Sequence, residues 1–259
     1  GAASDVASAL TINEAVRALG SGNILIENGH ADVGSTLTLN TLIDAGSGSV
    51  SVLSKNDQVF ASGASIKTIG GSVELNATSA GADIVMAADV VFQTDGGNLR
   101  LAAGSNGNIT VGVLDARSEA DRSLGLRGEM AAWGSVSLIT TAGSVLDSND
   151  TSVAVYAKAL RLFNSSSSDA ISSVGTASNA LEMDVMQVSG RVGSGGAFLR
   201  ATNGLAVGQT AAVTFNRVGA DGLVSEMSDA LQDDLVSAGS LVLHALQGDI
   251  ATALNTGDI

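Results

Sequence analysis

The chain contains no cysteine and no proline, and of its 259 residues only five Phe, one Trp and one Tyr are aromatic. Without cysteine there is no disulfide framework, no zinc finger and no thiol nucleophile. Without proline every residue keeps its backbone donor, which suits a chain paired on both sides along most of its length. Positive charge is scarce as well: 12 Lys and Arg stand against 26 Asp and Glu, a formal net charge of −14. Phosphate binding needs clustered Lys or Arg, so nucleic acid and anionic membrane surfaces are excluded as partners. No apolar run reaches the roughly 18 residues of a membrane helix, and no membrane insertion of this segment is expected. Present in excess is glycine, at 32 residues, on a chain that is 45% hydrophobic and 15% charged. Such a chain is too apolar for a disordered polymer and long enough for a large core, yet it has few bulky groups to fill one.

A repeat organises the sequence. A small pair followed by apolar, polar and apolar residues occurs as Gly48-Ser49-Val50-Ser51-Val52, Gly71-Ser72-Val73-Glu74-Leu75, Gly97-Asn98-Leu99-Arg100-Leu101 and Gly134-Ser135-Val136-Ser137-Leu138. It is looser at Gly22-Asn23-Ile24-Leu25-Ile26 and returns at Gly239-Ser240-Leu241-Val242-Leu243. Strict alternation puts one side chain inward and the next outward, so Val73 and Leu75 are expected in a core, with Ser72, Glu74 and Asn76 in solvent. Other strand-like segments, such as Ser65-Ile66-Lys67-Thr68-Ile69, lie between these phrases. A unit of two or three short strands buries its apolar side only by stacking on its neighbours. The expected fold is all-β, a single-stranded parallel β-helix (solenoid) with right-handed coils, roughly ten of about 21–27 residues each. It runs as one domain over 1–259, a fragment of a longer chain, because the pattern continues to the last residues. Gly, Ser, Asn and Asp are expected at corners, through positive φ or side-chain bonds to the backbone.

Two segments fit less well. Residues 5–19 can be drawn as an amphipathic helix, but Leu10-Thr11-Ile12 matches Leu37-Thr38-Leu39 at an offset of 27 residues, which favours a further coil. Residues 223–235 place Val224, Met227, Leu231 and Leu235 at helical spacing and read as a helix or an acidic loop. Protruding loops are expected at 112–133 and 221–237.

Few residues carry chemistry, and no catalytic residue, cofactor or metal is assigned. His30 and His244 are far apart in the chain and read as edge residues. Calcium is the least implausible metal, at the oxygen-rich corner of Asp147, Asn149 and Asp150, but this corner lacks the glycine and terminal glutamate of an EF-hand loop and reads as a capping turn. The one dense mixed-charge stretch holds Asp115, Arg117, Glu119, Asp121, Arg122, Arg127 and Glu129, followed by Trp133. Its candidate ligand-binding residues are Arg117, Arg122, Arg127 and Trp133; the competing reading is a solvated corner with ion pairs of about 0–1 kcal/mol.

The phrases Gly97-Asn98-Leu99-Arg100-Leu101-Ala102-Ala103-Gly104, Gly107-Asn108-Ile109-Thr110-Val111 and Gly204-Leu205-Ala206-Val207-Gly208 give the chain its resemblance. It resembles the β-helical passenger regions of large secreted bacterial proteins of the filamentous haemagglutinin type. The resemblance implies a non-enzymatic stalk or scaffold segment of a giant adhesin, located outside the cell or on the bacterial surface. Its partners would be host-cell or biofilm glycans or proteins, reached through the parent protein. The alternative is a carbohydrate-binding or polysaccharide-degrading β-helix, a lyase or glycoside hydrolase, that uses 115–133 as its face.

Overall fold

The computed structural model describes residues 9–29, 35–125, 127–128, 130–149, 152–163 and 170–252. The fold is a parallel β-helix. Twenty-three strands are linked by parallel pairing into one system, and an antiparallel pair stands apart from it. Each coil lays strands on three faces. The first face begins with Leu10–Ile12, Leu37–Leu39, Gln58–Phe60, Ile84–Met86 and Ile109–Val111. The second begins with Val16–Arg17, Leu42–Asp44, Ser65–Lys67, Val91–Gln93 and Val113–Asp115. The third begins with Ile24–Asn28, Val50–Ser54, Val73–Ala77, Leu99–Ala102 and Val136–Ile139. Further along, Val155–Phe163 and Leu181–Ala201 run through face junctions without a break.

The predicted spacing holds where the chain is plain. Leu10 stacks on Leu37, Leu37 on Gln58, Gln58 on Ile84 and Ile84 on Ile109, offsets of 27, 21, 26 and 25 residues. Two coils are longer. Ile109 stacks on Val145 and Ala197 on Leu241, offsets of 36 and 44, because the chain leaves the rod at 116–134 and again at 208–234. The described residues therefore form nine rungs on the first face, fewer than uniform spacing implies.

Alternation fills the interior with stacked aliphatic side chains: Leu37, Leu39, Val50, Val52, Val73, Leu75, Leu99 and Leu101 are fully buried. The few rings that enter are accommodated pairwise, with Phe60 and Phe92 edge to face at 4.8 Å. Leu10–Ile12 is a strand paired with Leu37–Leu39, as the 27-residue offset predicts.

The recurring glycine has two jobs. Gly70 and Gly96 turn the corner with φ of 82° and 88°. The next residue in each case does something else: a Cβ on Gly71 would overlap the Gly48 carbonyl oxygen, and one on Gly97 the Gly71 carbonyl oxygen. From Gly48 onward, the glycine that opens each phrase is thus required by backbone stacking between coils rather than by a turn. Polar side chains secure the remaining corners. Asp57 Oδ1 accepts the Asp83 amide at 2.9 Å, Asp83 Oδ1 that of Asn108 at 2.6 Å and Asn108 Oδ1 that of Ser144 at 3.0 Å, one rung after another.

Two expectations are corrected. Residues 223–235 leave the rod but are not a helix: Val224–Asp229 is a strand, paired antiparallel with Val213–Val218, and 230–234 follow irregularly apart from a bridge between Thr210 and Gln232. Ser72 and Glu74 point away from the coil interior as expected, yet they are buried, because that hairpin folds back over them. The earlier excursion contains the helix Glu119–Leu124, capped by Ser118 and ended by Gly125 with φ of 61°. Among the described residues no helix is long and apolar enough to cross a membrane.

Candidate functional site

The mixed-charge corner at 116–134 closes on itself. Arg117 grips Asp115 with Nε at 2.9 Å and Nη2 at 2.6 Å, and its guanidinium lies 3.8 Å from the centre of the Tyr156 ring. Arg122 reaches the same carboxylate at 3.1 Å, Glu119 at 2.7 Å and the Arg117 carbonyl at 2.8 Å. Burial alone would raise the pKa of Asp115, but Arg117 and Arg122 outweigh it and hold the carboxyl below its ordinary range. Trp133 is 3% exposed and donates its indole N–H to Asp121 at 2.5 Å. Its ring is therefore a wedge under the loop rather than an open platform for a sugar. Arg127 stands apart from the other two. It donates to the carbonyls of Val185 and Gly204 at 3.0 Å each, and its Nε lies 2.9 Å from Asp184. There it borders an open groove of about 510 Å³, with Met130, Met186, Leu205 and Asp249.

The oxygen-rich corner is a capping turn in the part described; Asp150, like His30, lies outside the described residues. Asn149 donates its backbone amide to Asp147 Oδ1 at 2.7 Å and its side-chain amide to the Gly112 carbonyl at 3.3 Å. What the sequence does not reveal is the group above Asp147. Glu182, 35 positions on, occupies the next rung; its backbone amide donates to Asp147 Oδ2 at 3.5 Å, and its carboxyl faces that of Asp147. Arg200, one rung further, meets Glu182 Oε1 at 2.6 Å. Burial and the facing Asp147 carboxyl push Glu182 up to about 7, and burial also raises Asp147. His244 pairs in register with Arg200 and shares a cavity of about 220 Å³ with Glu182, Arg200 and Phe198. Among the described residues no three acidic or histidine side chains gather as a metal cluster.

The most extensive polar assembly lies on the third face. Ser51, Glu74, Arg100, Ser137 and Arg161 follow one another in register on five successive rungs. All point away from the core, and all but Arg100 are fully buried. The hairpin of 208–234 covers them. Arg217 holds Glu74 with both oxygens in reach, at 3.1 and 3.0 Å from Nε. Arg100 bonds Asp229 at 3.2 Å and lies 4.9 Å from the centre of the Phe215 ring. Arg161 donates to the Ala230 carbonyl at 2.7 Å and to Ser137 at 3.0 Å. At the two ends, Asn23 reaches the Gly222 carbonyl at 3.0 Å, and the hydroxyls of Ser189 and Thr210 meet at 2.5 Å. One signal in the sequence pointed here: Glu74 and Arg100 sit at the same position of successive phrases, where a purely solvated face has no need of opposite charges.

Comparison with protein-family models, with curated proteins and with solved structures finds no match to this chain.

Proposed function

We propose that this chain is a non-enzymatic structural segment, a stalk or scaffold, of a large extracellular or cell-surface bacterial protein whose adhesive contacts with glycans or proteins are made through the parent. The observation that supports this reading most is the hairpin laid along the third face, from the rung of Asn23 to that of Ser189. In a bare solenoid each coil touches only its neighbours and can peel away singly. A strap bonded to many coils makes them yield together, a property useful to a load-bearing spacer.

Pulling the chain from its ends by force spectroscopy tests this. The expected trace has one major cooperative event covering the strapped rungs; coil-by-coil peeling at low force would remove the argument. The groove beside Arg127 favours the second reading, a carbohydrate-binding or carbohydrate-degrading β-helix. Incubation with acidic and neutral glycans decides between them: turnover, or micromolar binding lost in Arg127→Ala, replaces the stalk reading.

A further inference from the structure

The hairpin has two edges, and the rod uses one. On the inner edge Asn216 donates its backbone N–H to Ser72 Oγ at 2.8 Å and Val218 its N–H to Ser51 Oγ at 2.9 Å. The Thr214 carbonyl accepts from Asn98 Nδ2 at 2.7 Å. Three side chains on three rungs thus stand in for a neighbouring strand. In an antiparallel pair, residues directly opposite one another turn their backbone groups either both toward the pair or both away from it. Thr214, Asn216 and Val218 turn theirs away, so the residues opposite, Ser228, Glu226 and Val224, direct N–H and C=O to the outer edge. Among the described residues no strand pairs there, and residues 223–228 are exposed throughout. Large apolar groups along this edge are exposed: Leu223 is 68% exposed, Val224 43% and Met227 39%. An open ladder beside exposed apolar side chains is the arrangement that accepts an added strand.

Charge selects the occupant. Asp221 and Glu226 are exposed on this edge, whereas Arg217 is engaged by Glu74 on the inner side. A second copy paired about a two-fold axis would set Glu226 against Glu226 and bring together two chains of net charge −14. We propose that the outer edge of Val224–Asp229 takes one extended peptide strand in which apolar and basic residues alternate.

The probe is a short labelled peptide of alternating valine and lysine, titrated by fluorescence anisotropy. Glu226→Pro removes an outward N–H and leaves the bonds to Val213–Val218 in place, since the Glu226 amide does not face that strand. Saturable binding is expected, about tenfold weaker in Glu226→Pro, the loss of one or two ladder bonds, and only a few-fold weaker in Glu226→Gln. In the unaltered chain, the amides of Val224, Glu226 and Ser228 should gain protection from hydrogen exchange when peptide is added; this second readout decides the matter if Glu226→Pro disturbs the hairpin. Equal binding by Glu226→Pro, equal binding of a valine and glutamate peptide, no binding at millimolar peptide, or self-association in sedimentation would each overturn the proposal.

Discussion

The two excursions from the rod begin and end differently. The first leaves between the second and third faces, whereas the second interrupts the third face itself, between Val207 and Leu235, which stack on Val188 and Gly190. The first, 116–134, draws most of its bonds from within itself and from the coil it left: Arg117 and Arg122 on Asp115 and Trp133 on Asp121, while Arg117 also stacks on Tyr156 of the next rung and Arg127 reaches later coils. The second, 208–234, makes its ion pairs and hydrogen bonds with residues up to 199 positions earlier. A loop that supplies its own partners is a local module. A hairpin whose partners are distributed over the rod couples coils that otherwise meet only through their neighbours.

The largest effect separating them is expected from Glu74→Ala. It leaves Arg217 and Arg100 facing each other without their shared carboxylate, at a cost of about 3 kcal/mol or more for breaking a buried pair. Denaturant titration should register this, and hydrogen exchange should quicken across several third-face rungs at once. If exchange rises only at residues 73–77, the hairpin is not a coupling element. Trp133→Ala removes a buried wedge and is expected to cost about 3 kcal/mol. Here exchange should quicken within 116–134 and leave the hairpin protected; spreading to 213–229 would erase the distinction between the two excursions. Gly71→Ala probes plain stacking, where neither excursion supplies the obstructing atom. Forcing a Cβ against the Gly48 carbonyl is expected to cost about 1–3 kcal/mol, with the second and third coils most perturbed.

The smallest effect is one of pH, at a corner outside both excursions. Glu182 is raised from its ordinary 4.5 to about 7, so the stability that its protonated form contributes is complete below pH 4.5 and lost as pH rises through about 7. The melting temperature should therefore decline between pH 5 and pH 8, and Glu182→Gln should flatten that decline. An unchanged slope in Glu182→Gln would show that the Asp147 and Glu182 contact is not the titrating element.

Much of the rod is legible in the residues because its rule is local. Alternation in Val73-Glu74-Leu75 decides which side chains enter the core, and the 27-residue match of Leu10 with Leu37 decides their register. The candidate sites are less legible. Arg117, Arg122 and Trp133 are neighbours in the chain and do come together, but whether Trp133 lies open or buried depends on how 116–134 closes over it. Glu182 carries no mark in its own segment that places it above Asp147; only the accumulated rise of the coil does so. The helical spacing of Val224, Met227 and Leu231 misleads because these residues are exposed, so nothing buries the stripe that such spacing implies.

The order of amino acids alone determined the spiral: a period near two dozen residues, alternating side chains, and glycines where successive backbones nearly touch. It did so because each of those constraints acts between a residue and its immediate neighbours or its equivalent one coil away. Tertiary structure alone decided that a run of acidic and apolar residues late in the chain would become a hairpin clasping the third face of the rod from Asn23 to Ser189. That choice rests on buried charges brought together from distant positions, and no local pattern encodes the meeting of Arg217 with Glu74.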